Sequence, residues 1–172
     1  TDFISSDFHL VFGKGVVKQH NKEARYFGTE LIPIGSSCLD ALKKESNIAK
    51  TKKIVNLPPG KKVILYTTSF LWQNSFYISN YPPFSDNLFW LTQKAIIDIL
   101  GKNSELAVIV KLHPNLSYKA APLEDYVREK KYNNFRFIRN GCNFTSLLPL
   151  ADVIVIDMPS TTLLQALITK KP

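Results

Sequence analysis

The sequence predicts an α/β domain in which a parallel β-sheet is covered by crossover helices. Four short apolar, β-branched runs alternate with helical patterns from Lys61 to the end of the chain, and this alternation is typical of a parallel sheet with crossover connections. The runs are apolar on both faces, as central parallel strands are. Of the 172 residues, 45% are hydrophobic and 21% are charged, which excludes a disordered or fibrous chain.

The core domain contains four predicted strands with helices between them. The strands are Val63–Tyr66, Leu106–Val110, Phe135–Ile138 and Val153–Ile156. Apolar spacing near three and four, together with Asp86 and Pro122 at helix-opening positions, predicts helices over Asp86–Leu100, Leu123–Tyr132, Asn143–Leu150 and Thr161–Thr169. The long aromatic-rich segment over residues 70–85 is predicted to be either a functional loop or a local hydrophobic cap.

Two further strands are predicted upstream, at Leu10–Phe12 and Glu30–Ile34, with a helix over Val16–Tyr26 between them. The basic stretch Lys43–Lys62 follows and is interpreted as a solvated linker that ends near the breaker Pro58-Pro59-Gly60. We therefore expect a boundary near residues 50–60, with an upstream unit over residues 1–50 and the core domain over residues 51–172. Because no strand follows the last helix, we expect a fragment of a longer protein.

The formal charge of +8 at pH 7 predicts an anionic partner, which leaves nucleic acid, a phosphorylated small molecule and an anionic lipid surface open. No apolar run is long enough for a membrane span and no signal sequence is visible, so we expect a cytoplasmic location. Cys38 and Cys142 lack metal-site spacing and are interpreted as reduced thiols. We expect no metal and no cofactor. Walker, GxSxG and HExxH motifs are absent from the sequence.

His113 is the first candidate functional residue, because it lies in the polar cluster just beyond the predicted strand Leu106–Val110. In open α/β sheets, ligands bind beyond the carboxyl ends of the strands. An imidazole at that point can donate a hydrogen bond to a phosphate or protonate a leaving group. The alternative is a capping histidine beside a rigid proline turn.

Hydroxyl side chains occupy two equivalent positions. Ser160, Thr161 and Thr162 open the last helix, where backbone amides and the helix dipole favour an anion such as a diphosphate. Thr68 and Ser69 follow the first strand of the core domain in the same way. The alternative for the helix start is capping without a ligand.

The order of these motifs resembles the C-terminal, Rossmann-like domain of GT-B fold transferases. The closest resemblance is to the CDP-glycerol glycerophosphotransferases of teichoic acid synthesis and to capsule or surface-polysaccharide transferases. It rests on Gly35-Ser36-Ser37-Cys38-Leu39-Asp40, Lys111-Leu112-His113-Pro114, the strand from Ala151 to Asp157, Ser160-Thr161-Thr162 and the segment from Ala166 to Pro172.

The resemblance implies a role for each motif. His113 would lie against the donor phosphate, and Ser160 and Thr161 would bind the same diphosphate. Arg139 and Asn140 would lie beside the nucleobase. Gln165 takes the place of a glutamate that holds the donor ribose in many relatives. The general base would belong to the N-terminal lobe, of which residues 1–50 would be a remnant with the interlobe connection.

The function that follows is transfer of a sugar or polyol phosphate from a CDP- or UDP-activated donor to a surface polysaccharide or teichoic-acid-like polymer. The basic stretch would hold the protein on the inner face of the membrane, near a lipid-linked acceptor. One alternative is a non-hydrolysing UDP-sugar 2-epimerase, although its Ser-Gly-Gly signature is absent. The other is a nucleic-acid-binding domain, although no RNP, KH or helix-turn-helix pattern is visible; we expect no nucleic acid partner.

Overall fold

A computed structural model describes residues 7–23, 29–40, 48–69, 86–113 and 122–172. The aromatic-rich segment over residues 70–85 and Pro114 of the Lys111-Leu112-His113-Pro114 motif lie outside the described residues. The chain divides into two compact units, Thr1–Lys44 and Glu45–Pro172.

The first unit contains a two-stranded parallel sheet. Strand β1 (Phe8–Val11) pairs with β2 (Glu30–Pro33), and Phe8 lies opposite Glu30. Helix α1 (Lys14–Glu23) lies between them in sequence, and α2 (Ser37–Asp40) follows β2. Both strands overlap their predicted ranges, although β1 begins two residues before the predicted Leu10, and the helix begins two residues before the predicted Val16. The predicted end of that helix, residues 24–26, lies outside the described residues.

The second unit is built on a four-stranded sheet. Its strands are β3 (Lys62–Thr67), β4 (Leu106–Lys111), β5 (Phe135–Ile138) and β6 (Val153–Ile156), in the order β5-β4-β3-β6. Every neighbouring pair is parallel. The predicted α/β fold class and the four predicted strands are therefore confirmed.

The four helices that the sequence predicted in this unit are present, and two of them end clearly earlier than predicted. They are α4 (Asp86–Gly101), α5 (Pro122–Glu129), α6 (Phe144–Leu147) and α7 (Thr161–Ile168). Helix α5 ends before the predicted Tyr132, because Lys131 has a left-handed backbone with φ of 57°. The predicted helix Asn143–Leu150 is α6 followed by a 3₁₀ turn over Leu148–Leu150, with Pro149 unable to donate a backbone hydrogen bond.

The basic stretch contains a helix, so the interpretation of Lys43–Lys62 as a linker is wrong. Helix α3 spans Ile48–Val55 and buries Thr51 and Val55, four positions apart, while its lysines face outward. It packs against α6 and the 3₁₀ turn. It ends at Asn56, which has φ of 49°. Because α3 belongs to the second unit, the division at Lys44 and Glu45 precedes the expected boundary at residue 50.

The core of the second unit lies between the sheet and helices α4 and α5. It is formed by Ile64, Tyr66, Ile97, Val108, Val110, Leu112, Leu123, Val127 and Phe135. Because all four strands run in one direction, their carboxyl ends meet at one edge of this packed layer. Among the described residues, no helix combines the length and the apolar character needed to cross a bilayer.

Candidate functional site

A cavity of about 360 Å³ lies at the carboxyl edge of the second unit's sheet. The segments that leave β3, β4 and β6 form its walls, together with the start of α6. It is lined by Thr67, Thr68, Ser69, Lys111, Leu112, His113, Asn143, Phe144, Asp157, Met158, Ser160, Thr161 and Thr162. The parallel topology therefore brings together side chains that are almost fifty positions apart in sequence, His113 and Ser160 among them.

The segment after β3 contributes two buried hydroxyl groups. Thr67 and Thr68 are each 6% exposed, and neither Oγ1 atom has a hydrogen-bond partner within the described part of the chain. An unsatisfied buried hydroxyl costs about 1–3 kcal/mol. Such atoms have free capacity to bind a water, an ion or a ligand, and both threonines line the cavity.

Asp157 lies at the end of β6 and accepts hydrogen bonds from three other residues. Its Oδ1 accepts from the Ser69 backbone N–H at 2.7 Å. Its Oδ2 accepts from the Tyr66 hydroxyl at 3.1 Å, from Gln93 Nε2 at 3.1 Å and from the Ser69 hydroxyl at 3.2 Å. Burial raises the pKa of Asp157 above its usual value, and these hydrogen bonds lower it in part. The carboxyl group joins β6 to β3 and α4.

Lys111 ends β4 and ties that strand to the segment after β5. Its ammonium group donates to the carbonyl oxygens of Ile138 and Arg139. Burial holds the pKa of Lys111 below its usual value, since the charged form loses hydration. Lys111 thus places a partly buried cation in the cavity wall.

His113 lies two residues beyond Lys111. Burial and the neighbouring Lys111 ammonium both lower the pKa of His113 below 6.5, because each disfavours the imidazolium form. At neutral pH the ring is therefore mostly uncharged. A neutral imidazole keeps one N–H group that can donate a hydrogen bond to a phosphate oxygen.

Helix α7 begins at the cavity, and Ser160 is its N-cap. The Ser160 hydroxyl accepts from the Thr162 backbone N–H at 3.3 Å and lies 2.7 Å from the Thr162 hydroxyl. The predicted cap is therefore present. The positive end of the helix dipole faces the cavity, while part of the hydrogen-bonding capacity of Ser160 is used within the helix.

Three predicted nucleoside contacts do not line this cavity. Arg139 forms a salt bridge with Glu124 at 3.4 Å, and neither Arg139, Asn140 nor Gln165 belongs to the lining. Sequence reasoning missed the hydrogen-bond network around Asp157. One signal was available, because Gln93 lies four positions from Phe89 and from Ile97, on the buried stripe of α4.

A parallel sheet with hydroxyl groups, a histidine and a helix N-terminus at its carboxyl edge is typical of α/β domains that bind phosphorylated ligands. The family model described as CDP-glycerol:poly(glycerophosphate) glycerophosphotransferase matches residues 5–172. The chain belongs to this family.

Solved structures of the wall teichoic acid polymerase TagF share the fold. A histidine-to-asparagine variant has 18% identity and a TM-score of 0.59, and the match covers 96% of this chain and 38% of that chain. The same variant soaked with CDPG has 17% identity and a TM-score of 0.58, with 96% and 36% covered. This chain therefore spans less than two-fifths of the TagF chains. No curated protein matches it significantly.

Proposed function

We propose that the cavity binds the diphosphate of a CDP-linked polyol, and that the protein transfers the polyol phosphate to a teichoic-acid-like polymer. One observation carries the proposal: two buried hydroxyls that have no hydrogen-bond partner among the described residues line the same cavity as His113 and the start of α7. The family to which the chain belongs is described by a CDP-glycerol donor and a poly(glycerophosphate) acceptor. A TagF structure obtained after a CDPG soak is consistent with such a donor.

The reaction breaks the bond between the two phosphates of the donor. An acceptor hydroxyl attacks the phosphorus of the polyol phosphate, the P–O bond to CMP breaks, and the acceptor's proton passes to a base. Negative charge grows on the CMP phosphate as it leaves. His113 is the proposed catalytic residue, because an imidazole N–H in the cavity can stabilise that charge by a hydrogen bond or by proton transfer.

The remaining phosphate contacts come from the segments after β3 and β6. Thr67 and Thr68 supply hydroxyl groups to one side of the diphosphate. Ser69, which the sequence also predicted as a phosphate contact, lines the same cavity, but its hydroxyl already donates to Asp157. Ser160, Thr161 and Thr162 supply the start of α7 on the other side. Since the Ser160 hydroxyl also caps the helix, the helix dipole carries much of its contribution to phosphate binding.

The nucleoside contacts of Arg139, Asn140 and Gln165 stay predictions. They lie outside the cavity lining, so a nucleoside would reach them only by extending from the cavity. Substitution of Asn140 by Ala is the simplest test of this placement. We expect it to weaken binding of CDP while leaving binding of inorganic pyrophosphate unchanged; equal loss for both ligands would contradict the placement.

A ligand panel tests the donor. We expect CDP-glycerol to raise the melting temperature of the complete gene product more than UDP-glucose or UDP-N-acetylglucosamine at equal concentration. A larger shift with the UDP-sugars would favour a sugar transferase or the UDP-sugar 2-epimerase alternative. Binding of DNA that weakens steeply with salt, together with no shift for any nucleotide, would favour a nucleic-acid-binding domain.

Helix α3 supports a peripheral membrane location. Lys50, Lys52 and Lys53 are exposed on it, beside the exposed side chains of Ile48 and Ile54. Each basic residue near an anionic surface contributes about 1 kcal/mol. We expect the triple Lys50→Gln, Lys52→Gln, Lys53→Gln variant to lose binding to phosphatidylserine vesicles, and a Lys14→Gln, Lys18→Gln, Lys22→Gln variant of α1 to serve as the charge-matched control. Equal vesicle binding by both variants would reject the role of α3.

A further inference from the structure

Ser69 is held at three points by residues from other elements. Its backbone N–H and its hydroxyl both donate to Asp157, at 2.7 Å and 3.2 Å. Its carbonyl oxygen accepts from Gln93 Nε2 at 3.2 Å. Ser69 directly follows Thr67 and Thr68. The backbone at the end of β3 is therefore fixed by a carboxylate on β6 and an amide on α4.

The orientation of the Gln93 side chain follows from its partners. Gln93 is fully buried, and Nε2 contacts the Ser69 carbonyl at 3.2 Å and Asp157 Oδ2 at 3.1 Å. Both partners are acceptors, so the NH₂ group and not the carbonyl oxygen must face them. Gln93 does not line the cavity. It therefore acts on the cavity only through Ser69 and Asp157.

The carboxylate of Asp157 lies in the wall of a cavity proposed to hold a diphosphate, where an unshielded negative charge would repel the ligand. Four donors converge on its two oxygens, two from Ser69 and one each from Tyr66 and Gln93. A carboxylate has about four lone-pair sites. The hydrogen bonds that the carboxylate accepts thus come from protein groups, and these donors partly offset its negative charge.

We propose that Asp157 and Gln93 are positioning residues that hold the end of β3 so that the hydroxyl groups of Thr67 and Thr68 face the donor diphosphate. This inference rests on the proposed function. Neither residue needs to contact the donor. The threonine hydroxyls have no protein partner among the described residues, so their direction depends on the backbone that Ser69 anchors.

The test measures binding of CDP-glycerol by calorimetry to variants of the complete gene product. Gln93→Leu keeps the approximate volume and removes the donor, and Asp157→Asn keeps the shape and removes one acceptor oxygen. We expect each variant to bind CDP-glycerol about tenfold more weakly, the size of one lost hydrogen bond to a charged group. Ile97→Val is the matched control, since Ile97 is fully buried on the same helix and should retain wild-type affinity despite a small loss of stability.

A double-mutant cycle separates positioning from general loss of structure. Thr68→Val removes the hydroxyl with little change in shape. If Gln93 acts through Thr68, Gln93→Leu should weaken binding about tenfold in the wild type but less than threefold in the Thr68→Val background. If Gln93→Leu weakens binding by the same factor in the wild type and in the Thr68→Val background, the two residues act independently and the inference is overturned. Wild-type affinity in Gln93→Leu would also overturn it.

Three outcomes separate a failure of this inference from a failure of the proposed function or of one variant. If Asp157→Asn does not fold, the Gln93→Leu cycle decides the inference by itself. If the wild-type protein binds no CDP-glycerol, the proposed function fails and this inference fails with it. Wild-type binding that Gln93→Leu leaves unchanged rejects the positioning role alone.

Discussion

Polar side chains serve different purposes at the two ends of the four-stranded sheet. At the amino end, the polar side chains form hydrogen bonds with backbone groups. The Asp152 carboxylate accepts from the Val63 N–H at 2.7 Å, and Lys61 Nζ donates to the Ser104 carbonyl at 2.6 Å. Lys171 Nζ donates to three carbonyl oxygens, those of Leu148, Pro149 and Ala151.

At the carboxyl end, by contrast, the hydroxyls of Thr67 and Thr68 have no partner among the described residues and line a cavity. The amino end has one similar atom, Asn134 Oδ1, but Asn134 lies outside the cavity lining, and its amide nitrogen donates to the carbonyls of Leu100 and Asn103 at 3.0 Å each. Lys111 and Asp157 also tie strands together at the carboxyl end, but that end additionally keeps hydroxyl groups with hydrogen-bonding capacity for a ligand. Substitutions at the two ends should therefore affect different measurements.

The largest expected effect is on His113 at the carboxyl end. His113→Ala should weaken CDP-glycerol binding by about 1–3 kcal/mol, the value of a lost hydrogen bond to a charged group, and should lower turnover further if the ring protonates the leaving phosphate. His113→Gln keeps an N–H donor and should recover part of the binding but not the turnover. Calorimetry and a glycerophosphate-transfer assay measure the two quantities. Wild-type values in both assays for His113→Ala would remove this residue from the site.

Lys171 offers the matching test at the amino end. Lys171→Met removes the ammonium donor of three carbonyl oxygens, of which that of Leu148 keeps another donor, the Ala151 N–H, and should lower the free energy of unfolding by about 1–3 kcal/mol. CDP-glycerol affinity should stay unchanged, because the contacts lie at the opposite edge of the sheet. Lys170→Met is the charge-matched control and should have little effect on stability, since Lys170 is exposed. If Lys171→Met binds CDP-glycerol more weakly while it is fully folded, the two ends of the sheet do not have separate roles.

Ser160 contributes both to the stability of the fold, as a helix cap, and to the lining of the cavity. Ser160→Ala removes the N-cap of α7 and should cost about 1 kcal/mol of stability. Its effect on CDP-glycerol binding should be smaller than that of His113→Ala, because the helix dipole remains. Urea denaturation and calorimetry on one preparation give both numbers. A binding loss larger than that of His113→Ala would mean that the hydroxyl itself is the principal phosphate contact.

The smallest expected effect is a pH dependence of binding. Burial and the Lys111 ammonium lower the pKa of His113 from its usual value, and a nearby diphosphate favours the imidazolium form. Binding therefore takes up a proton when the pH falls toward the pKa of His113 in the complex. CDP-glycerol affinity should rise about two- to fivefold between pH 8 and pH 6. In His113→Gln the dependence should disappear. An affinity that decreases when the pH is lowered from 8 to 6 in the wild type would contradict this sign.

Much of the fold was predictable because the strands are short, continuous apolar runs. The runs at Leu106–Val110 and Val153–Ile156 admit few structures other than buried parallel strands, and the parallel order then brings His113 and Ser160 to one edge. Helix α3 was missed because its buried face consists of only Thr51 and Val55. The lysines of the same segment dominate its sequence pattern and indicate a solvated stretch. The pattern of charge describes the exposed face of a helix and says little about its buried one.

The network around Asp157 was not predictable in the same way. Its hydrogen bonds join residues 64 to 91 positions apart, and they depend on how α4 packs across the sheet. The spacing of Gln93 from Phe89 and Ile97 is that of a buried position, but spacing does not show which acceptors the side chain meets. The nucleoside contacts of Arg139, Asn140 and Gln165 came from the resemblance alone and stay predictions.

The central claim is that the carboxyl edge of this sheet binds a CDP-linked donor through its diphosphate. The most direct measurement is a calorimetric titration of CDP-glycerol into the wild-type protein, Thr68→Val and Lys171→Met under identical conditions. We predict saturable binding to the wild type, binding weakened about tenfold in Thr68→Val, whose hydroxyl has no partner in the described structure, and unchanged binding in Lys171→Met. Equal affinity in all three proteins, or weaker binding in Lys171→Met than in Thr68→Val, would contradict the account.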